Sequence, residues 1–106
     1  MTDKIVVFST ASTAAEAEAI ARKLVEERLA ACVNVVTGVR SFYRWKGKIE
    51  NSPEWLLVIK SSRGRFEALR AALEKLHSYE VPEAIALPVV EGAANYLNWM
   101  EGELGA

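Results

Sequence analysis

Between Ala30 and Lys60 the chain carries two β-forming runs joined by one turn region, and that pairing constrains the fold more than any other feature of the sequence. Cys32-Val33-Asn34-Val35-Val36 reads as strand, Thr37-Gly38 as a kink or bulge, and Ser41 to Lys46 alternates. Ser41, Tyr43 and Trp45 fall on one face; Arg40, Phe42, Arg44 and Lys46 fall on the other. Together the pieces predict one long bent strand. Gly47 to Pro53 is expected to supply the turn, and Trp55 to Ile59 to return as an apolar strand ending at Lys60. Such a hairpin projects past the core that 106 residues can build. Its aromatics and free edges call for a partner, most simply another copy of the chain.

The flanking segments complete a β-α-β-β-α-β order. Lys4 to Thr10 reads as a largely buried strand. Thr13-Ala14-Ala15-Glu16 has the capping-box pattern, in which hydroxyl and carboxylate each satisfy an orphan amide. The helix that follows sets Ala17, Ile20, Ala21, Leu24 and Val25 against a charged face, where Lys23 and Glu27 stand one turn apart. Ser62 is the expected cap of a second helix, whose Phe66, Leu69, Leu73 and Leu76 share a face and which stops near His77-Ser78. Ala84 to Val90 is expected as a strand, with Pro88 marking an edge or a bulge. Tyr96, Leu97, Met100 and Leu104 line one side of a short terminal helix. The sum is one α+β domain over residues 1–106 on the ferredoxin-like βαββαβ plan, with a long bent hairpin and a C-terminal helix.

Composition excludes several functions. At 51% hydrophobic and 25% charged the chain is neither disordered nor built to span a membrane, and a net charge of −1 argues against a nucleic-acid partner. The first residues run straight into Ile5-Val6-Val7-Phe8, which reads as a strand and not as a signal peptide. One cysteine, Cys32, offers no intrachain disulfide, so a reducing cytoplasm is the expected location. With one His, one Cys and Asp3 as the single aspartate, a Ser-His-Asp triad would have to borrow Asp3 or use a Glu, with no nucleophile elbow in the sequence, and there is no zinc-binding HExxH and no Asp-rich magnesium site. No catalytic residue is expected, and the chain is read as a non-enzyme.

Five segments together resemble the CutA family, the divalent-cation tolerance proteins. They are Leu29-Ala30-Ala31-Cys32-Val33-Asn34, Ser41-Phe42-Tyr43-Arg44-Trp45-Lys46-Gly47-Lys48, Leu57-Val58-Ile59-Lys60, His77-Ser78-Tyr79-Glu80-Val81-Pro82-Glu83 and Tyr96-Leu97-Asn98-Trp99. The resemblance implies a ferredoxin-like fold, a tight homotrimer built through the hairpins and a cytoplasmic location. It also implies an architecture shared with the trimeric PII signalling proteins. The family is associated with tolerance to copper and other divalent cations, and some members bind copper. Their ligands match Ser9, Leu76 and His77 here, so that only His77 keeps a good donor for copper. The family's His-Pro-Tyr-Glu tetrapeptide has Ser78 in place of Pro.

The candidate site residues follow, each with a plainer alternative. His77 is the candidate metal ligand, with Glu83 or Glu80 as oxygen donors; alternatively it is a helix-terminal imidazole whose charged form the helix dipole favours. Cys32 is a soft-metal or redox thiol, or a small core residue. Tyr43, Trp45, Trp55, Tyr79 and Trp99, with Lys60 supplying charge, line a ligand cleft between subunits or are aromatics of the subunit contact. Lys60, Tyr79 and Glu83 are the favoured pocket residues. Arg40, Arg44 and Lys46 form a basic stripe that a solvated strand face explains equally well. The functional expectation is a trimeric, cation-responsive protein that binds copper or another divalent ion weakly. The alternatives are a PII-like module that binds a small ligand or protein in the cleft, and a stable scaffold.

Overall fold

The computed structural model describes residues 2–105 and has the order β1 (Lys4–Ala11), α1 (Ala14–Glu26), β2 (Cys32–Trp45), β3 (Lys48–Ser62), a 3₁₀ turn (Arg63–Arg65), α2 (Phe66–Leu76), β4 (Ile85–Pro88) and α3 (Ala94–Leu104). The strands form one sheet in the order β2-β3-β1-β4, every neighbouring pair antiparallel. This is the ferredoxin-like arrangement: β1-α1-β2 leaves a gap that β3 fills, and β4 takes the far edge. Among the described residues no helix is long and apolar enough to cross a membrane.

Alternation along β1 places Ile5, Val7, Ser9 and Ala11 on the buried face, where Ser61, Ile59, Leu57 and Trp55 of β3 stand opposite them. Onto this face α1 lays Ala17, Ile20 and Leu24, and α2 lays Leu69 and Leu73. A smaller cluster joins Met100 and Leu104 of α3 to Ala31. Lys4 is buried beside it, and its ammonium donates to Asp3 Oδ1 at 2.7 Å and to the Glu101 carboxylate. A buried charge is tolerated only when paired in this way, so the clamp fixes α3 to the start of β1. Arg65 and Arg28 donate to the Leu104 and Glu103 carbonyls at 2.5 and 2.8 Å, which satisfies the open end of α3.

Several expected boundaries move. The hairpin turn is Lys46-Gly47 alone, because Trp45 already pairs with Lys48. Both turn residues have positive φ, 52° and 82°, the geometry whose twist matches a two-residue hairpin. The expected turn segment therefore lies in β3, with Pro53 opposite Arg40. That half of β3 has a neighbour on one side only, where a residue without an N–H is tolerated. The kink at Thr37-Gly38 is a bulge between Val36 and Val39, with Gly38 at φ 79°.

Ser62 makes no capping hydrogen bond; the Arg63 N–H bonds the Asp3 carbonyl at 2.8 Å, and the 3₁₀ turn leads into α2. β4 is shorter than expected, ending at Pro88 on the sheet edge. Val25, expected in the core, is 43% exposed in the last turn of α1, where the chain bends away through Arg28 at φ 57°. The Lys23–Glu27 pair forms at 3.0 Å.

Leu73 has no exposed surface and joins α2 to the sheet. Leu73→Ala should lower the unfolding free energy by about 2–5 kcal/mol, read from urea melts, because the helix cannot collapse fully onto the lost volume.

Candidate functional site

β1 ends at Ala11, opposite Trp55, whereas β3 extends outward for seven more residues along β2. Glu54 is thus the first β3 residue beyond the end of β1. The segment after α2 comes over this position: the Tyr79 hydroxyl donates to Glu54 Oε2, and the Tyr79 ring stacks on His77 with centroids 5.0 Å apart. Between the hairpin arm and this segment lies an open groove of about 840 Å³, whose lining includes Tyr43, Trp45, Glu54, Tyr79, Glu80 and Glu83. By register Ser41, Tyr43 and Trp45 share a face with Ser52, Glu50 and Lys48, and Tyr43 Oη lies 3.0 Å from Ser52 Oγ.

Electrostatics in the groove run toward one sign. Glu54 is only 8% exposed. Burial raises the Glu83 carboxyl above its ordinary range, and the Glu54 carboxyl nearby raises it further. Burial, followed by the hydrogen bond to Glu54, drives the Tyr79 phenol far above its ordinary range, so it remains a donor at every physiological pH. Among the described residues, none of the ion pairs involves Glu54, Glu80 or Glu83.

Glu16 holds the segment in place. Thr13 Oγ1 caps α1 by accepting from the Glu16 N–H at 3.0 Å. The Glu16 carboxylate reaches one residue further back than a capping box requires, accepting from the Ser12 N–H at 3.2 Å. Its other oxygen accepts from the Ser78 N–H at 2.9 Å, a contact 62 residues away in sequence. Burial alone would raise this carboxyl, but the hydrogen bonds from Ser78 and Ser12 together lower it, so it stays ionised as a latch between α1 and the 78–83 segment.

His77 sits at the end of α2 with Nε2 3.3 Å from Ser9 Oγ. Nδ1 is buried without a well-aligned partner, although the Thr10 backbone lies close enough to favour the protonated ring. Burial dominates and lowers the imidazole below its ordinary value of 6.5, against the opposing pull of Glu16 and Glu54. His77 does stand at the C-cap of α2, but burial, the largest influence on the ring, disfavours the charged form that the helix-dipole reading expects. Glu83, expected beside His77, is coupled to Glu54 in the groove, and the first carboxylate acting on His77 is Glu16.

Tyr43, Trp45, Tyr79 and Glu83 are thus brought together, and Lys60 and Cys32 are not. Lys60 stands opposite Cys32 across β2–β3, and its ammonium donates to Asn34 Oδ1, which is 4.0 Å from Cys32 Sγ. Lys60 stands six positions along β3 from Glu54, with five residues between them, about 20 Å of extended strand. Cys32 is half-buried, outside the core in which it was alternatively placed. Trp55 packs against the core, and Trp99 is tilted against Tyr96 at 5.5 Å. Sequence reasoning missed Glu54 and Glu16, though Glu16 had been singled out as a cap. Among the described residues no three of His, Cys, Asp and Glu are grouped to hold a metal ion. At the position matching the family's copper ligands, a hydroxyl and a leucine beside one imidazole do not make a tight copper site.

Residues 5–103 match the family described as CutA1 divalent ion tolerance protein. The chain is 45% identical over 100 residues to the divalent-cation tolerance protein CutA of Thermus thermophilus, covering 94% of this chain and 97% of that one. To the chloroplastic protein CutA of Arabidopsis thaliana it is 41% identical over 97 residues, 92% of this chain and 53% of that one. The crystal structure of CutA from Xylella fastidiosa superposes with a TM-score of 0.95 at 45% identity, covering 97% of this chain and 99% of that chain.

Two outcomes follow from the geometry. A base with a lowered folded pKa contributes stability that is complete above about pH 6.5 and is lost as pH falls below it, since the unfolded chain takes up the proton first. Relative to His77→Gln, the wild-type protein should therefore lose urea resistance between pH 7.5 and pH 5.5; parallel curves would exclude a neutral buried imidazole. Tyr79→Phe leaves Glu54 without its hydroxyl donor and should cost about 1–3 kcal/mol in the same assay.

Proposed function

This chain belongs to the CutA1 divalent ion tolerance family, and from that premise we propose that it is a non-enzymatic, cytoplasmic homotrimer that takes up divalent cations such as copper weakly, through His77. The observation that carries the reading is the meeting of Ser9 and His77 at 3.3 Å. Two positions matched to copper ligands in relatives are neighbours here, although they lie on different elements. Burial favours the neutral form of His77, the form in which imidazole binds metals, and its Nε2 is the nitrogen that faces Ser9. With Ser9 and Leu76 contributing no soft donor, affinity should be low and water should fill most of the coordination sphere.

The trimer is supported by surface that a single copy leaves open. Phe42 and Ile49 on the hairpin arm are 69% and 70% exposed, and β2 and β4 both present free edges. Apolar arms and unpaired edges are what a closed ring of copies covers. A second reading, ligand binding in the manner of PII-like modules, is favoured by the groove, whose volume of about 840 Å³ falls in the range of small-molecule sites.

Native mass spectrometry during copper(II) titration tests the first reading. The expected result is a trimer with weak, stoichiometric uptake that His77→Ala abolishes. Uptake that is unchanged in the variant would remove His77 from the role, and a monomeric spectrum would remove the trimer.

A further inference from the structure

We propose that the groove between the hairpin arm and the 78–83 segment binds a small organic cation, a guanidinium or primary ammonium on an apolar stem, with Glu54 as its counter-charge. This deepens the ligand-binding reading of the groove and does not depend on copper. Four features of the site select that chemistry. Its volume of about 840 Å³ accommodates a small molecule, and Tyr43, Trp45 and Tyr79 supply aromatic surface. Among the described residues of a single copy, its three acidic residues, Glu54, Glu80 and Glu83, have no Lys, Arg or His in the lining to oppose them. Glu54 is 92% buried by its 8% exposure, yet the partner it has is a neutral hydroxyl, bonded to Oε2.

A buried carboxylate is costly without a counter-charge, and an incoming cation removes that cost while it gains a charge-assisted hydrogen bond. Aromatic rings add cation–π attraction and cover the apolar stem. An anion would meet three carboxylates, so the site discriminates by charge before shape. The raised Glu83 carboxyl agrees with this, because two acids near one another are relieved by a shared cation. A compact hydrated metal ion gains nothing from the aromatic lining, whereas a planar guanidinium uses both the carboxylate and the rings.

The test is isothermal titration of the 106-residue protein with agmatine and, separately, with glutarate, a dianion of comparable reach. EDTA is present throughout, so that metal uptake at His77 plays no part, and the Trp45 indole resonance is followed by NMR. Agmatine should bind, shift Trp45 and weaken as salt is raised, while glutarate should not bind. Glu54→Gln, which keeps an acceptor for Tyr79, should weaken agmatine at least tenfold with its thermal midpoint retained; Trp45→Ala should weaken it severalfold. Agmatine binding that survives Glu54→Gln overturns the proposal. Binding of glutarate alone overturns the charge assignment and leaves the groove as a ligand site. Silence from both probes overturns the proposal and the ligand-binding reading together, leaving the copper reading untouched.

Discussion

The feature on which the remainder of the structure depends is a mismatch in length between neighbouring strands. β3 runs for 15 residues and β1, which pairs with its inner half, for 8. The inner halves make a covered sheet with helices on one face, and the outer half of β3 has β2 alone for company. An isolated two-stranded ribbon is marginal in water. Here it is continuous with the core strand, and a two-residue turn closes it tightly. The groove is the space left where β1 stops, and Glu54 is buried because it stands at that step, where the 78–83 segment turns over it. Shortening β3 by a few residues would remove arm, groove and buried acid together.

One carboxylate then determines where that segment lies. Glu16 bonds Ser12 on its own side and Ser78 across 62 residues of sequence. Each bond is worth about 1 kcal/mol or somewhat more with an ionised acceptor, modest singly. Their effect is geometric. They place His77 against Ser9 and bring Tyr79 within reach of Glu54, so the neutral imidazole and the buried acid are positioned by one residue at the N-terminus of α1. The two candidate sites share a scaffold, and a change in the latch would be felt at both.

The ferredoxin-like plan was legible because it rests on local periodicity. Ile20 and Leu24, Leu69 and Leu73, and the alternation through β1 each declare a buried face within a few residues. Turn chemistry was less legible: Lys46-Gly47 requires positive φ at a lysine, and the polar, proline-bearing segment 48–53 resembles a loop when its one-sided pairing is unknown. The site was half legible. Tyr43, Trp45, Tyr79 and Glu83 stood out as aromatics and acids in distinctive segments, and they meet. Glu54 gave no signal, because a glutamate in a polar run looks solvated until the fold places Tyr79 above it. Lys60 and Cys32 looked like pocket residues by type, but strand register carries them to a separate cluster with Asn34. Register is a long-range property, and no short window of sequence contains it.

Ser78 shows how one substitution within a family motif acts through the backbone. The resemblance places a proline at this position in most relatives, and proline has no N–H to give. Here the Ser78 amide is the group that Glu16 accepts, and the Ser78 side chain adds a further hydrogen bond to the same carboxylate. A proline would stiffen the unfolded chain, worth about 0.4–1 kcal/mol in favour of folding where its φ is compatible. It would also remove an amide donor to a carboxylate, a solvent-exposed contact worth about 1 kcal/mol or somewhat more with an ionised acceptor. The two magnitudes nearly offset. The substitution therefore changes the means of stabilisation more than its amount: with Glu16 in place the segment is held by electrostatics that respond to ionic strength, where a proline would hold it by covalent stiffness that does not.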